Sequence, residues 1–265
     1  MRVWSLSSGS SGNCYLIQEG NSLLLLEAGV GVRRVQRELA ALGFAASDLS
    51  AILASHEHTD HWRSAVALAR RLHLPVVCTE GSWKSAGEGS TAPVLQLRSG
   101  GSVALGEIVV EAFTLSHDAR EPVGFLLRSD GATLCLATDT GRMTEEIVER
   151  ALAADLVILE ANHDVEMLVR GPYPAYMKKR ILGDRGHLSN EEAGRTIARL
   201  SRGRPRRFWL AHLSDANNSP QVALDSVQTL LRREGLEELK VEVALRDRRS
   251  LVWDSAGEAA QLQLF

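Results

Sequence analysis

The sequence predicts a mixed α/β (α+β) fold in which sheets carry helices on their outer faces. Apolar runs rich in Val, Ile and Leu recur along the 265 residues, and each has the length of a strand. Amphipathic stretches of helical length separate many of these runs. The first half is dominated by strands, with a hairpin signal at Asp130-Gly131, whereas the second half alternates strand and helix. No low-complexity linker divides the chain, so we expect one domain over residues 1–265.

The individual elements follow from these patterns. We expect strands at 13–18, 22–27, 51–54, 75–78, 108–113, 122–128, 132–137, 156–160, 207–211, 239–244 and 250–253. We expect helices at 32–42, 63–72, 143–153, 174–182, 190–201 and 219–234. Ser189 and Glu192 form a capping box at the start of one helix, and Pro220 suits the first turn of another.

Composition excludes several classes of protein. The net charge of -3 excludes a strongly basic, histone-like binder, although a local basic groove is compatible with it. Cys14, Cys78 and Cys135 are widely spaced, which argues against a disulfide framework and is typical of a reducing compartment. No apolar run approaches the roughly 20 residues that a membrane span needs, and the N-terminus lacks a signal-peptide pattern. We therefore expect a cytoplasmic protein with no membrane partner.

The most informative segment is Ser55-His56-Glu57-His58-Thr59-Asp60-His61, at a strand-to-helix junction. Imidazole and carboxylate groups are common ligands of zinc and similar divalent ions. In an extended loop, His56 and His58 point the same way because side chains alternate. Asp60 and His61 fall where the chain turns into the helix, so they could face a second ion.

Three further candidate ligands, His117, Asp139 and His212, each follow a predicted strand. Ligands at several strand ends indicate one shared edge where a site forms. The metal could be zinc or manganese, because histidine and aspartate suit both ions.

In these motifs the sequence resembles the metallo-β-lactamase superfamily. HEHTDH at 56–61, Ser116-His117, Thr138-Asp139-Thr140-Gly141 and Ala211-His212-Leu213 occur in the family's order and cover nearly the whole chain. The resemblance implies a four-layer αββα sandwich with two divalent metal ions at one edge. It implies that His56, His58 and His117 hold one ion, that Asp60, His61 and His212 hold the other, and that Asp139 bridges them.

The family's first motif is an aspartate at a strand end, and this sequence departs from it. Here the run Leu23-Leu24-Leu25-Leu26 leads to Glu27-Ala28-Gly29. The resemblance implies that Glu27, like His163, contacts metal ligands without binding metal itself. Because glutamate is one methylene longer, its carboxylate must sit differently, and such changes alter metal affinity.

Ligand identity favours a hydrolase branch of the superfamily, since His61 is present and no cysteine stands at a ligand position. The strand-end Glu160 and the Gly186-His187-Leu188 turn resemble ribonuclease Z, in which such residues form a proton-relay pair. We therefore expect Glu160 and His187 to be catalytic, together with Asp60.

Longer motifs resemble the YycJ/WalJ-like group of single-domain exonucleases. They are Ser8-Gly9-Ser10-Ser11-Gly12-Asn13-Cys14, Asn162-His163-Asp164, Gly171-Pro172-Tyr173-Pro174 and Gly186-His187-Leu188-Ser189-Asn190. The 22 positions from His117 to Asp139 leave no room for a tRNA-binding arm. The 48 positions from Asp139 to His187 leave none for a β-CASP insertion.

Substrate contacts are expected from two regions. The Ser/Gly loop could cradle a phosphate, and basic side chains could meet a nucleic-acid backbone. The expected substrate-binding residues are Ser10, Ser11, Asn13, Ser189, Asn190, Lys178, Lys179 and Arg180.

The resemblance implies a dinuclear-metal phosphodiesterase acting on nucleic acid, in particular a 5′-directed DNA exonuclease in DNA repair or processing. Two alternatives stay open. One is a small-molecule thioesterase of the glyoxalase II type, and the other is a metal-stabilised DNA-binding module without catalysis. The sequence does not specify the metal, DNA against RNA, the polarity of cleavage or the oligomeric state.

Overall fold

The computed structural model describes residues 1–87, 89–201 and 204–257, which form two seven-stranded sheets covered by helices. The strands are β1 Arg2–Ser7, β2 Cys14–Glu19, β3 Ser22–Leu26, β4 Ala51–Leu53, β5 Val76–Cys78, β6 Val94–Gln96, β7 Ser102–Leu105, β8 Ile108–Thr114, β9 Val123–Ser129, β10 Ala132–Ala137, β11 Leu156–Glu160, β12 Arg207–Ala211, β13 Lys240–Val243 and β14 Val252–Asp254. The helices are α1 Val32–Ala41, α2 Thr59–Trp62, α3 Ala65–Leu72, α4 Glu80–Ala86, α5 Glu145–Ala153, α6 Val165–Arg170, α7 Ala175–Ile181, α8 Asn190–Leu200 and α9 Pro220–Arg233.

The sheets are mixed. The first has the order β14-β1-β2-β3-β4-β5-β6, and the second has the order β13-β12-β11-β10-β9-β8-β7. Strands β10 to β13 are parallel neighbours, as are β3 to β6. Because parallel neighbours end at the same edge, the residues that follow β10, β11 and β12 are brought side by side.

Side chains that point alternately to the two faces of each strand form the separate layers of the core. In β3, Leu24 and Leu26 pack between the sheets, while Leu23 and Leu25 pack under the helices of the first sheet. Strand β11 repeats the pattern against the helices of the second sheet. A strand buried on both faces has a continuous apolar run rather than an alternating one.

Helices α1 and α3 cover the outer face of the first sheet, and α5, α8 and α9 cover that of the second. The predicted four-layer αββα sandwich is therefore confirmed. None of the helices in the described residues is long and apolar enough to span a membrane.

The predicted helix 63–72 is present as α3 Ala65–Leu72, and a separate short helix, α2, precedes it. Ser64 donates hydrogen bonds from both its backbone N and its Oγ to the carbonyl of Ala28, at 2.8 and 3.0 Å. This contact separates the short helix α2, which begins after His58, from α3. The break follows from a tertiary contact, which periodicity cannot show.

Candidate metal centre

The predicted ligands lie together where β4, β8, β10 and β12 end. Five of the seven predicted ligands line a cavity of ≈ 240 Å³ at this edge. Residues that line it include His58, Asp60, His117, Asp139, His187 and His212.

The first group of ligand atoms comes from His56, His58 and His117, within 4.8 Å of one another. His117 Nε2 lies 3.3 Å from His58 Nδ1. Ser55 Oγ lies 2.9 Å from His56 Nδ1, while the buried Nε2 of His56 has no hydrogen-bond partner among the described residues. A buried imidazole nitrogen of this kind fits a metal ligand, because burying it without a partner is otherwise costly.

The second group comes from Asp60, His61 and His212, again within 4.8 Å. Asp60 Oδ2 lies 3.1 Å from His212 Nε2 and 3.4 Å from His61 Nε2. The helix start at Thr59 turns both Asp60 and His61 toward the ends of β12 and β10.

Asp139 lies between the two groups. Its Oδ2 is 3.1 Å from His61 Nε2, and its Oδ1 is 3.7 Å from His117 Nε2. A carboxylate that reaches both groups has the position that a bridging ligand requires.

The ionisation of the carboxylates in the cavity depends on the neighbouring histidines. Burial raises the pKa of Asp139, but the neighbouring His212 and His61 lower it well below its usual range. Burial would lower the pKa of His212, but Asp139 and hydrogen bonds to Asp60 and Glu160 raise it to about 10. Burial and the charge of His61 hold the pKa of His56 well below its usual range. The carboxylates are therefore ionised, and the donor set fits divalent ions such as Zn²⁺ or Mn²⁺.

Glu27 contacts a predicted ligand, as the resemblance implies. Its Oε2 lies 3.3 Å from His61 Nδ1 and accepts a hydrogen bond from the backbone of Ser55 at 3.4 Å. The longer side chain thus reaches the imidazole from the end of β3. Such a carboxylate fixes the orientation of a ligating histidine.

Glu160 joins two histidines. Its Oε1 lies 2.8 Å from both His187 Nδ1 and His212 Nδ1. Its Oε2 accepts hydrogen bonds from the backbone of Thr140 and Leu188. Burial raises the pKa of Glu160, but His187 and hydrogen bonds from both histidines lower it to about 2. The structure therefore gives Glu160 a contact with a predicted ligand as well as with its expected relay partner.

His163, unlike Glu27, forms no side-chain hydrogen bond or ion pair with a predicted ligand in the described residues. Its ring is buried, and neither ring nitrogen forms a hydrogen bond within the described ranges. Its backbone carbonyl accepts a hydrogen bond from Asn190 instead. Burial lowers the pKa of His163, which favours the neutral ring.

The expected substrate-binding residues separate into those near the cavity and those elsewhere. Ser10 and Arg180 line the cavity, whereas Asn13 is buried with its Nδ2 3.0 Å from His61 Nε2. Ser11 and Lys179 are exposed and do not line the cavity.

The remaining three make structural contacts. Lys178 donates to the backbone carbonyl of Val169 at 2.7 Å. Ser189 caps α8, and the buried Asn190 exchanges hydrogen bonds with Asn218.

Sequence reasoning missed several residues at the site. Ser55 orients His56, Ser214 lines the cavity, and Arg142 and Arg185 lie beside it. The two arginines are isolated in the sequence, so no charge run could indicate them. The HEHTDH motif could have indicated Ser55, which directly precedes it.

The αββα fold with histidine and aspartate groups at its edge is the arrangement of metal-dependent hydrolases of the metallo-β-lactamase type. The chain belongs to the β-lactamase superfamily, because the family model described as a beta-lactamase superfamily domain matches residues 23–213.

Within that family it is similar to two curated relatives. It is 35% identical over 234 residues to exodeoxyribonuclease YycJ of Bacillus anthracis, covering 87% of this chain and 89% of that protein. It is 35% identical over 224 residues to exodeoxyribonuclease WalJ of Streptococcus pneumoniae serotype 2, covering 82% of this chain and 83% of that protein. Among solved structures, the metallo-β-lactamase fold protein YhfI from Bacillus subtilis superimposes with a TM-score of 0.72 at 17% identity. That match covers 95% of this chain and 98% of YhfI, and it supports the fold.

Proposed function

We propose that this chain is a metal-dependent phosphodiesterase that degrades DNA from a 5′ end, as a single-domain cytoplasmic exonuclease of DNA repair or processing. The observation that carries the proposal is the Glu160–His187 pair, 2.8 Å apart, beside two groups of ligand atoms. A phosphodiesterase needs a proton donor next to a metal ion that polarises the phosphate, and this geometry supports both roles, with His187 as the donor beside groups that would hold the ion. The names of the two curated relatives favour DNA as the substrate.

The ligand sets suit two divalent ions, Zn²⁺ or Mn²⁺. We assign His56, His58 and His117 to one, Asp60, His61 and His212 to the other, and Asp139 to both. Ions held there would supply an activated water and neutralise charge on the phosphate oxygens. Asp60 takes part in catalysis because its carboxylate faces the same cavity as His187.

His187 has the position of a general acid. Its side chain is 12% exposed, and its Nδ1 is held by Glu160, so Nε2 is the ring nitrogen left for the substrate. As water oxygen bonds to phosphorus and the P–O3′ bond breaks, the proton on Nε2 passes to the leaving O3′. Glu160 holds Nδ1 and so fixes the orientation of the imidazole toward the substrate.

The reaction is tested with end-labelled single- and double-stranded DNA and RNA, with Mn²⁺ and Zn²⁺ supplied separately. A 5′ label should appear at once as a mononucleotide, whereas a 3′ label should shorten progressively. Cleavage from the 3′ end would refute the polarity. Thioester hydrolysis without any nuclease activity would refute the phosphodiesterase.

His187→Ala tests the acid. The single-turnover rate on DNA should fall by roughly 10²- to 10⁴-fold, while metal content and DNA affinity stay unchanged. The control is His73→Asn, since His73 is an exposed left-handed C-cap of α3. Loss of metal from His187→Ala would instead make this residue a ligand, which its distance to Asp139 permits.

A further inference from the structure

A second cavity adjoins the metal centre. It has a volume of ≈ 390 Å³ and is formed by the loops after β8 and β10 and the turn after α7. Residues lining it include Ser116, His117, Arg120, Arg142, Asp184 and Arg185. His117 lines both cavities, so the second one, here named the arginine cleft, begins where the metal centre ends.

The arginine cleft carries more positive than negative side chains. In the described part of the chain, the guanidinium groups of Arg120 and Arg142 form no hydrogen bond or ion pair, and both residues are exposed. Asp184 also lines the cleft and forms no ion pair with them. The neighbouring Asp118 is already paired with Arg180, at 3.4 Å. Three arginines and one aspartate line the cleft, and Glu57 accepts a hydrogen bond from the backbone of Arg120 at 2.9 Å, so arginines still outnumber carboxylates on this wall.

The arginine cleft also has a fixed backbone. Gly141 packs so closely that a Cβ there would lie 2.4 Å from the carbonyl oxygen of Gly183. Ser116 Oγ donates to the carbonyl of Asp184 at 2.6 Å, and the backbone of Gly141 donates to the carbonyl of Ser116 at 2.8 Å. The loops therefore hold one another, and the cleft is formed before any ligand arrives.

Arg185 connects the cleft with the metal centre. Its Nε donates to the backbone carbonyl of His117 at 3.0 Å, which places the guanidinium at the boundary between the two cavities. A guanidinium fixed through one nitrogen still has donors left for a phosphate oxygen.

We infer that the arginine cleft binds a phosphate group of the DNA strand next to the linkage that is hydrolysed. Unpaired arginines recognise phosphate by charge-assisted, bidentate hydrogen bonds, and such contacts fix the register of a strand without specifying its sequence. The inference rests on the proposed function, because it names where the substrate strand leaves the metal centre. The bound group is either an internal phosphate or a terminal 5′-phosphate, and the experiment separates them.

Arg120→Gln/Arg142→Gln removes two charges without breaking a side-chain hydrogen bond or ion pair of the described residues. The matched control is Arg70→Gln/Arg71→Gln, two exposed arginines in the last turn of α3. Binding of the metal-loaded protein to a labelled single-stranded phosphorothioate oligonucleotide is measured by anisotropy from about 50 to about 200 mM salt. Loss of the contact with this one phosphate should lower the slope of log affinity against log salt by about 0.7. The control variant should keep the slope of the parent protein.

A neutral methylphosphonate, placed at one linkage at a time, identifies the phosphate. A methylphosphonate at the linkage that contacts the cleft should weaken binding of the parent protein. The same methylphosphonate should not change the affinity of Arg120→Gln/Arg142→Gln. If instead the variant alone stops distinguishing 5′-phosphorylated from 5′-hydroxyl strands, the terminal phosphate occupies the cleft. Arg120→Lys/Arg142→Lys should restore most of the salt dependence, because the charge returns.

A slope that is the same in the glutamine variant and the control would overturn the arginine cleft as a phosphate site. A parent protein that binds DNA but cannot cleave it would refute the proposed nuclease, while the slopes would still decide the role of the cleft. A parent protein that does not bind DNA would overturn both.

Discussion

Gly29 packs directly against the backbone of the segment that carries two predicted metal ligands. A Cβ at this position would lie 1.6 Å from the carbonyl oxygen of Asp60 and 2.2 Å from its carbonyl carbon. The same carbonyl accepts a hydrogen bond from the backbone of Asn13 at 2.7 Å, and Gly29 donates to the carbonyl of Asn13 at 2.9 Å. Gly29, in the turn after β3, and Asn13, directly before β2, therefore fix the position of the Asp60 backbone.

Gly29→Ala should displace Asp60 and His61. To reach even a 3.0 Å contact, the Asp60 backbone must move by 1.4 Å from its present 1.6 Å separation. Metal–ligand distances tolerate about 0.2 Å, so the second ligand group should no longer bind metal tightly. Overpacking of this kind costs about 1 to 3 kcal/mol or more, which lowers Tm by roughly 2 to 12 °C. A misplacement of about 1 Å should reduce DNA cleavage by at least about 10²-fold.

The control is Gly31→Ala, two positions further on. No heavy atom lies within 4 Å of a Cβ at Gly31, and its φ of -68° suits alanine. Metal content by mass spectrometry and thermal unfolding, with and without a chelator, compare the two variants. The reasoning fails if Gly29→Ala keeps its metal and melts within about 2 °C of Gly31→Ala, the shift expected for a change of less than about 1 kcal/mol.

Other predictions concern the ligand set. Asp139→Ala should strongly reduce the metal content at saturation, and unchanged occupancy would remove this residue from the site. Glu27→Gln should weaken metal affinity by about 10- to 100-fold in a chelator competition, because Glu27 orients His61; equal affinity would contradict that role. In the metal-free protein, His212 keeps its proton up to a pKa of about 10. Metal must displace this proton, so affinity should rise with pH, and calorimetry in two buffers should detect proton release at pH 7. The stability that the proton contributes is full below the ordinary pKa of 6.5 and is lost as the pH rises through about 10.

Much of the fold follows from burial on both faces of the strands. Runs such as β3 and β11 contain only residues that the structure buries, and these strands were predicted within a residue or two. Strand β1 escaped prediction because its buried face includes Ser5 and Ser7, which interrupt the apolar pattern. Strands β6 and β7 are short and half-exposed, so their sequences carry little signal.

The site was predictable as a set of strand-end residues, but the direction of each side chain was not. Sequence order places Asp139, Glu160 and His212 after neighbouring strands, and the parallel register then aligns them. Glu160 contacts His212 as well as His187, and only the three-dimensional structure shows this second contact. The substrate-binding residues were harder to predict from the sequence, for a physical reason. A run of basic residues such as Lys178 to Arg180 indicates local charge, but Lys178 is bound to a backbone carbonyl and only Arg180 lines the cavity.

Backbone strain explains how strand ends can aim these side chains. Glu27, Asp139 and His212 follow β3, β10 and β12, and all have a positive φ, of 63°, 62° and 56°. Each such residue costs of order 1 to 3 kcal/mol unless its surroundings enforce it. Glycine would relieve the strain but would remove the carboxylate or imidazole. Side chains along a strand point alternately to its two buried faces, and the left-handed conformation breaks this alternation at the strand end. Strands buried on both faces can therefore still place polar groups at one site. Asp139 and His212 line the cavity and Glu27 contacts His61, so strain at these three strand ends indicates that the packed sheets hold the predicted ligands in place.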